Sequence, residues 1–454
     1  MAETVLTALA ANIAATDFPD FPEATIRKAK LHILDTLGAA IAGATSVETK
    51  LVINALGLKG TKGEASVWAL PLKTDARTAA FINGVSAHAF ELDDSGGCDH
   101  SGAVVLPAVM AALESTAATV DGRLFLKSVL LGYEVGRRVL EASGGYEVHN
   151  GNGWHSTGTC GTFGAAAAVA TLMGLDREGT ASALGSALSY SGGTWAFIHD
   201  GGPAKKLHAG RAAEGGYMAA RLARAGFQGP LSAFDDKAWG GFFQTFGEER
   251  ATPEELCRDF GQNWRLNRCS IKPHATCRGT HSAIDAIDLL LSDIGLKSSG
   301  VASVTVDMSG FQYGMCGHKT VTSRAQAQMS LPYAVAARLQ FGKVSLAELE
   351  ENAWRSPAIR RWLDMLTVRI NDTMRDEDEP SVEIRTHDGT TLAATVEHPL
   401  GGPLNPLSDE RIIAKYADLA RAVLPHSRVE TLRDLILGID TAADVRPLID
   451  LLKP

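Results

Sequence analysis

The feature that most constrains the fold is a run without charged residues that extends from Ser156 to Leu175. The run is rich in alanine, glycine and threonine and poor in large apolar side chains. Its length would permit a membrane span, but its weak hydrophobicity favours a helix buried at the centre of a soluble protein. Because small side chains let backbones approach closely, we expect this helix to be packed on all sides. His155, which precedes it, is expected to face a polar pocket.

Length and charge narrow the class of protein. A chain of 454 residues is too long for one ordinary core and predicts two domains. Acidic residues outnumber basic ones by 52 to 43 without a basic stripe, which argues against nucleic-acid binding. The six cysteines form no CxxC pair and are typical of reduced cytosolic thiols. The first residues show no export signal, so we expect a cytoplasmic protein that does not associate with membranes.

Helical spacing of apolar residues dominates the first part of the chain. One further helix is expected to carry Pro107 in its first turn, where a missing N–H group costs little. No convincing strand occurs before about residue 264. The other predicted helices of this part are 5–14, 24–43, 74–90, 122–141, 178–190 and 207–226.

The pattern then changes to one that predicts strands at 303–308 and 366–370 and a hairpin within 381–396, where Asp388-Gly389 supplies favoured turn chemistry. The fold class is therefore mainly α with an α+β second domain. We predict a helical domain at 1–264, an inserted α+β domain at 265–399, and C-terminal helices at 400–454 that return to the helical domain. The helices predicted for this part are 276–293, 328–340, 408–424, 427–437 and 441–452.

Two polar clusters combine histidine with groups suited to acid–base chemistry. Asp93, Asp94, Asp99 and His100 lie around a glycine-rich loop. A carboxylate beside an imidazole can transfer protons, although an aspartate next to a helix end also serves as a cap. His155 lies among glycine and hydroxyl residues, and is either a pocket residue or a buried histidine satisfied by hydrogen bonds.

A third cluster is basic. Lys205, Lys206, His208 and Arg211 open a predicted helix. They are either a solvated basic face or an anion site, because a helix N-terminus and nearby cations both favour carboxylate or phosphate. The GxxxxGK[ST] spacing of a nucleotide-binding loop is absent from the sequence, which disfavours phosphate transfer.

A fourth cluster surrounds Lys272, which precedes a proline and is therefore expected in extended backbone. If this lysine is confined in a pocket, its pKa can fall far enough for it to act as a base. His274, Cys277 and His281 lack the spacing of metal ligands, and we expect no metal site.

Together and in this order, these clusters resemble the MmgE/PrpD family, which includes 2-methylcitrate dehydratases, cis-aconitate decarboxylases and an iminodisuccinate epimerase. The resemblance covers nearly the whole chain and rests on segments 87–94, 153–159, 205–210 and 272–277. It implies a helical domain with a smaller α+β domain, a site between the domains, and a homodimer. It also implies small polycarboxylate substrates and no required metal or organic cofactor.

The resemblance implies pocket positions at Asp93, His100, His155, Lys205 and Lys272. The shared chemical step is proton transfer at a carbon next to a carboxylate, where enolate-like charge needs nearby cations or donors. Loss of water, loss of CO2 or return of the proton to the opposite face then gives dehydration, decarboxylation or epimerisation. The fold does not choose among these outcomes.

The sequence departs from the family pattern near the proposed pocket. The segment 100–102 is His-Ser-Gly, where many relatives have His-Pro-Gly or His-Pro-Ser. Gly97 and Cys277 stand where the decarboxylase branch has a threonine and a histidine, which weakens that assignment. Asn150 stands where the epimerase has a tyrosine, although Tyr146 lies nearby, so an epimerase stays open without support at that residue.

We therefore expect a cofactor-independent lyase that removes an α-proton and water from a small hydroxy-polycarboxylate. Lys272 or His155 is the expected base, and Asp93 with His100 orients or protonates the leaving hydroxyl. The alternatives are an epimerase of a polycarboxylate and a catalytically silent relative that binds a metabolite. The residues expected to bind substrate are Lys205, His208, Arg278 and Tyr146.

Overall fold

The computed structural model describes residues 4–58, 62–235, 237–293, 295 and 297–454. The prediction that the chain has no export signal rests partly on the first three residues, which lie outside the described residues. Helices dominate the first part of the chain. The helices there are α1 Val5–Ala15, α2 Glu23–Gly43, α3 Val47–Ala55, α4 Ala76–His88, α5 Ser101–Glu114, α6 Gly122–Ala142, α7 Tyr146–Gly151, α8 Ser156–Thr159, α9 Gly161–Leu172, α10 Arg177–Ala187, α11 Phe197–Asp200 and α12 Ala204–Arg224. The strands there are β1 Ala65–Val67 and β2 Leu72–Thr74.

Strands and helices alternate in the second part, and helices alone close the chain. The elements of the second part are α13 His281–Asp293, β3 Val301–Met308, α14 Gly310–Cys316, α15 Arg324–Gln328, α16 Leu331–Phe341, α17 Glu351–Trp354, α18 Pro357–Met365, β4 Leu366–Ile370, β5 Ser381–Thr386 and β6 Thr391–Thr395. The closing helices are α19 Asp409–Arg421, α20 His426–Leu437 and α21 Pro447–Leu451.

The uncharged run forms the buried centre of the helical part, as predicted. It divides at Cys160 into α8 and α9, and α9 packs against α5, α6, α10 and α12. Glycines permit this close packing: a Cβ on Gly164 would lie 2.6 Å from the main-chain oxygen of Gly132, and one on Gly216 would lie 2.4 Å from the Cβ of Ala165. Within the described residues, none of the helices has both the length and the apolar character that crossing a bilayer requires.

Two predictions for the first part are wrong. Pro107 lies inside α5 rather than in its first turn, because the helix already begins at Ser101. The expectation that no strand precedes residue 264 also fails, because β1 and β2 pair antiparallel with Ala65 opposite Thr74. Each of these strands has three residues, which is too few to produce a visible alternating pattern.

The second part contains a sheet with the strand order β4-β3-β5-β6, in which β3 runs parallel to β4 and antiparallel to β5. The predicted hairpin is confirmed: Val382 of β5 pairs with Ala394 of β6, and Gly389 in the turn has φ of 91°. Helices α13 and α16 pack on this sheet and share its apolar core.

The closing helices return to the helical part. Helix α19 packs along α2, where Nζ of Lys415 lies 2.6 Å from Oδ1 of Asp35. A Cβ on Gly38 would lie 3.1 Å from the Cα of Tyr416, which shows how closely the two helices approach. The final helix is shorter than the predicted 441–452. The predicted fold class is confirmed, whereas the boundaries after residues 264 and 399 remain proposals.

Candidate active site

A cavity of about 480 Å³ lies where the helical part meets the α+β part. The helical part contributes the loop between α4 and α5 together with residues of α6, α7 and α12. The other wall comes from the segment before α13, from α14, and from the acidic segment 376–379. Both cations and carboxylates therefore face the same space.

The loop between α4 and α5 holds two carboxylates in unusual backbone conformations. Glu91 and Asp99 have φ of 54° and 96°, a region that costs a non-glycine residue about 1–3 kcal/mol. Asp94 instead caps the start of α5, because its Oδ1 accepts a hydrogen bond from the N–H group of Gly102 at 3.0 Å. The capping alternative thus applies to Asp94, whereas backbone strain of the kind found at Glu91 and Asp99 clusters at functional sites.

Asp93 is fully buried between two imidazoles. Its Oδ1 lies 3.0 Å from Nδ1 of His88, and its Oδ2 lies 3.0 Å from Nδ1 of His100. Burial raises the pKa of Asp93, but the two imidazoles outweigh burial and hold that pKa well below its usual value. Of the two imidazoles, that of His100 lines the cavity, so Asp93 influences the cavity through His100.

The tautomer of His100 follows from the contact of its ring with the main chain. Nδ1 lies 2.9 Å from the carbonyl oxygen of Asp94. A carbonyl only accepts hydrogen bonds, so Nδ1 is assigned the proton. Nε2 is therefore the ring atom that can gain or lose a proton, and it lies 3.4 Å from Oδ2 of Asp99.

His155 lies on the other side of Asp99, with its Nε2 3.6 Å from Oδ2 of that residue. Its Nδ1 lies 2.8 Å from Nδ1 of His208, so one ring donates to the other. Burial, only partly opposed by Asp99, lowers the pKa of His155 well below its usual value. Burial and the charge of Lys205 lower the pKa of His208 to about 4. Both rings are neutral at pH 7.

Three buried lysines converge on Glu91, a residue that the sequence analysis does not select. Nζ of Lys205 lies 2.8 Å from Oε1 of Glu91, and Nζ of Lys272 lies 3.1 Å from Oε2. Lys206 donates a hydrogen bond to Oε1, and Lys272 also donates to the main-chain oxygen of Glu91 at 3.2 Å. Of these lysines, Lys205 is the one that lines the cavity.

Burial and mutual attraction together set the pKa values in this cluster. Burial raises the pKa of Glu91, but the three lysines outweigh burial and hold that pKa well below its usual value. Burial alone would lower the pKa of Lys272, yet Glu91 and Asp93 raise it above its usual value. For Lys206 burial outweighs the attraction of Glu91, and the pKa is lowered. Lys272 therefore stays an ammonium and lacks the lowered pKa that a base requires.

The structure places the predicted site residues in two layers. Tyr146 and Arg278 line the cavity, where the hydroxyl of Tyr146 lies 3.9 Å from Sδ of Met315 and Arg278 forms an ion pair with Glu379. The predicted residues on the cavity wall are His100, Lys205, Tyr146 and Arg278. The predicted residues behind the wall, in contact with wall residues or with one another, are Asp93, His155, Lys272 and His208.

Sequence reasoning did not identify Glu91 and His88 as site residues. Both lie inside segment 87–94, which carries the family resemblance, but nothing in the local pattern indicates that distant lysines meet Glu91.

Two groups of described residues place three potential metal ligands close together: His88, Asp93 and His100, and Asp99, His100 and His155. The set His274, Cys277 and His281 does not form such a group within the described ranges.

Buried neutral imidazoles predict a loss of stability in mild acid. His149 is fully buried, its Nε2 lies 2.7 Å from Oγ1 of Thr159, and burial lowers its pKa to about 4. An unfolded histidine binds a proton below about pH 6.5. The unfolded state therefore holds more protons between pH 6.5 and 4, and stability falls as the pH falls through that window.

The change His149→Gln tests this expectation. Glutamine keeps a polar group near Thr159 and removes the titrating ring, so the fall in unfolding free energy between pH 7 and pH 4.5 should shrink by about 2–3 kcal/mol. Urea unfolding at the two pH values measures it. An equal fall in the variant and the unmodified protein would contradict the assignment.

Comparisons with known proteins match the chain over most of its length. The MmgE/PrpD N-terminal domain matches residues 7–254, and the MmgE/PrpD C-terminal domain matches residues 274–441. Cis-aconitate decarboxylase of Aspergillus terreus is 31% identical over 97% of this chain and 93% of the relative. Cis-aconitate decarboxylase-like protein oryM of Aspergillus oryzae is 30% identical over 96% and 94%. Human cis-aconitate decarboxylase is 26% identical over 94% and 90%.

Proposed function

Because the chain belongs to the MmgE/PrpD family, we propose that it is a lyase that acts on a small polycarboxylate by proton transfer at a carbon next to a carboxylate. The observation that carries this proposal is His100, a cavity residue whose Nδ1 is fixed by the main chain and whose Nε2 is free to exchange a proton. Decarboxylation of an unsaturated acid of the cis-aconitate type is the first candidate reaction. It is favoured by full-length similarity to relatives that carry that name.

Cations on the cavity wall suit a substrate with several carboxylates. Lys205 and Arg278 keep the binding role expected from the sequence, and Arg137 and Arg268 join them on the wall. Arg278 already pairs with Glu379, so a substrate carboxylate would replace or share that partner. Tyr146 lines the same wall and supplies a hydroxyl donor, since burial keeps its pKa well above the usual value.

The proposed decarboxylation exchanges one carboxylate of the substrate, lost as CO2, for one proton. The bond to one substrate carboxylate breaks, CO2 leaves, and the electron pair moves through the double bond to the carbon next to a second carboxylate. That carbon takes the proton from Nε2 of His100, which solvent then reprotonates. Asp93 at Nδ1 and Asp99 beside Nε2 hold the ring in position for the transfer. Lys205 lies on the wall where it stabilises enolate-like charge.

Dehydration is the second candidate, and Cys277 favours it. Burial raises the pKa of the Cys277 thiol, so the cavity wall has a neutral group where the decarboxylase branch has a histidine. Gly97 has no room for the branch's threonine as the loop stands, because a Cβ there would lie 2.1 Å from Oγ of Ser101. In dehydration the unprotonated Nε2 of His100 would remove the α-proton, and the protonated ring so formed would give a proton to the β-hydroxyl, which leaves as water. The homodimer, the cytoplasmic location and the independence from cofactors remain proposals.

Incubation in D2O separately with cis-aconitate, citrate and 2-methylcitrate tests the function. We expect CO2 from cis-aconitate together with deuterium at the carbon next to a retained carboxylate. An unsaturated acid formed from citrate or 2-methylcitrate without CO2 would establish dehydration instead. Deuterium uptake by an otherwise unchanged acid would indicate an epimerase. If none of the acids yields CO2, an alkene or deuterium, the lyase proposal fails.

A further inference from the structure

Three side chains at the cavity have the spacing of metal ligands. Oδ2 of Asp99 lies 3.4 Å from Nε2 of His100 and 3.6 Å from Nε2 of His155. Potential ligand atoms of the three residues all lie within 4.8 Å of one another. Ligands at 2.0–2.1 Å from a tetrahedral zinc ion stand about 3.3–3.4 Å apart. The observed separations to Asp99 are therefore close to those of an assembled site.

A buried oxygen without a hydrogen bond points into this arrangement. Oδ2 of Asp99 is buried and makes no hydrogen bond of acceptable geometry, although a buried carboxylate normally has its acceptors satisfied. The residue is also held at φ of 96°, a conformation that a loop maintains only against a cost. Both observations concern Asp99, the residue that the two imidazoles face.

The supporting hydrogen bonds orient the rings for ligation. Nδ1 of His100 donates to the main-chain oxygen of Asp94, which leaves the Nε2 lone pair free. Nδ1 of His155 lies 2.8 Å from Nδ1 of His208. In the tautomer in which His155 donates to His208, the lone pair of its Nε2 is available to a metal, and Nε2 lies 3.6 Å from Oδ2 of Asp99 and 3.4 Å from Oγ1 of Thr157. Metal-bound histidines usually have their second nitrogen engaged in this way. Asp99 and His100 line the cavity, which leaves a fourth position for water or a substrate carboxylate.

We propose that Asp99, His100 and His155 form a binding site for a divalent transition metal of the zinc type. Two imidazoles and one carboxylate suit zinc, cobalt or iron(II) better than magnesium or calcium, which prefer oxygen ligands. The metal binds Nε2 of His100, so metal binding inhibits turnover rather than supporting it. The expected inhibition rests on the proposed function, because it requires that Nε2 of His100 transfers the proton.

Cobalt(II) titration of chelator-treated protein tests the site without reference to activity. We expect saturable binding of one Co²⁺ per chain, visible absorption typical of four coordination, and displacement by Zn²⁺. The variant Asp99→Asn replaces the carboxylate by a neutral and weaker ligand, and asparagine tolerates the left-handed backbone at position 99. The variant His155→Asn removes the imidazole Nε2. Each should weaken binding at least about 100-fold. His274→Asn, in a histidine outside the group, is the matched control and should bind as the unmodified protein does.

Two results would overturn the proposal: no saturable binding by the unmodified protein, or equal affinity in all three variants, which would place the metal elsewhere. Urea unfolding shows whether each variant is folded. The two ligand variants change different side chains, so each tests the site separately. If the protein turns over cis-aconitate, Zn²⁺ should inhibit it with the affinity found by titration. If no acid is turned over, the proposed function fails while the binding result still decides the metal site.

Discussion

Replacing Glu91 with glutamine should destabilise the protein by about 3–5 kcal/mol, the usual effect of removing one partner from a buried ion pair. The carboxylate of Glu91 is fully buried and is shared by Lys205, Lys206 and Lys272. Glutamine has nearly the same shape but no charge, so three ammonium groups would lose their common partner. Urea unfolding at pH 7 measures the change in free energy.

A surface ion pair supplies the control. Glu351 lies 2.9 Å from Arg355, and about two-thirds of each side chain is exposed. Glu351→Gln should therefore cost no more than about 1 kcal/mol. Adding Lys206→Met to Glu91→Gln should recover part of the lost stability, because one uncompensated charge is removed. Equal costs for Glu91→Gln and Glu351→Gln would show that the lysines do not depend on this carboxylate.

The change His100→Asn should lower turnover about 100- to 10,000-fold, the range typical of a lost acid–base group. The asparagine amide can occupy the place of Nδ1 and donate to the main-chain oxygen of Asp94, as His100 does. The variant thus preserves the loop contact and removes Nε2. Steady-state kinetics with the substrate found in the incubations measures kcat and KM separately, and the loss should lie in kcat.

His274→Asn is the kinetic control for His100→Asn. His274 belongs to the segment 272–277 but does not line the cavity. Its Nε2 lies 3.8 Å from Oδ1 of Asp285. The control should keep the unmodified kcat. A comparable loss in both variants would mean that the effect comes from structural damage and not from the missing Nε2.

Much of the fold follows from local patterns in the sequence. The uncharged run marks the buried α9, the Asp388-Gly389 pair marks the hairpin, and alternation marks β3 and β4. These features depend on side chains close together in the chain. The hairpin of β1 and β2 does not, since each strand is three residues long and is fixed by its packing. Pro107 likewise sits inside α5 because the helix starts earlier than the glycine-rich loop suggests.

The candidate site was predictable in its residue types but not in its pairings. Family resemblance points to His100 and Lys272, and both lie at or directly behind the cavity wall. The pKa of Lys272 depends on Glu91, which is 181 positions away in sequence. Because Glu91 keeps Lys272 charged, we propose His100 rather than Lys272 for the acid–base role. Contacts between residues so far apart in the chain leave no local pattern in the sequence.

The central claim is that Nε2 of His100 transfers the proton to or from a carbon next to a carboxylate. The most direct test compares the unmodified protein with His100→Asn in D2O at a cis-aconitate concentration that saturates both, as shown by calorimetry. We predict that the unmodified protein forms one deuterium-labelled product per CO2, labelled at that carbon. The variant should bind the acid and form neither CO2 nor labelled product at a comparable rate. Labelled product formed by the variant at the unmodified rate would contradict the claim.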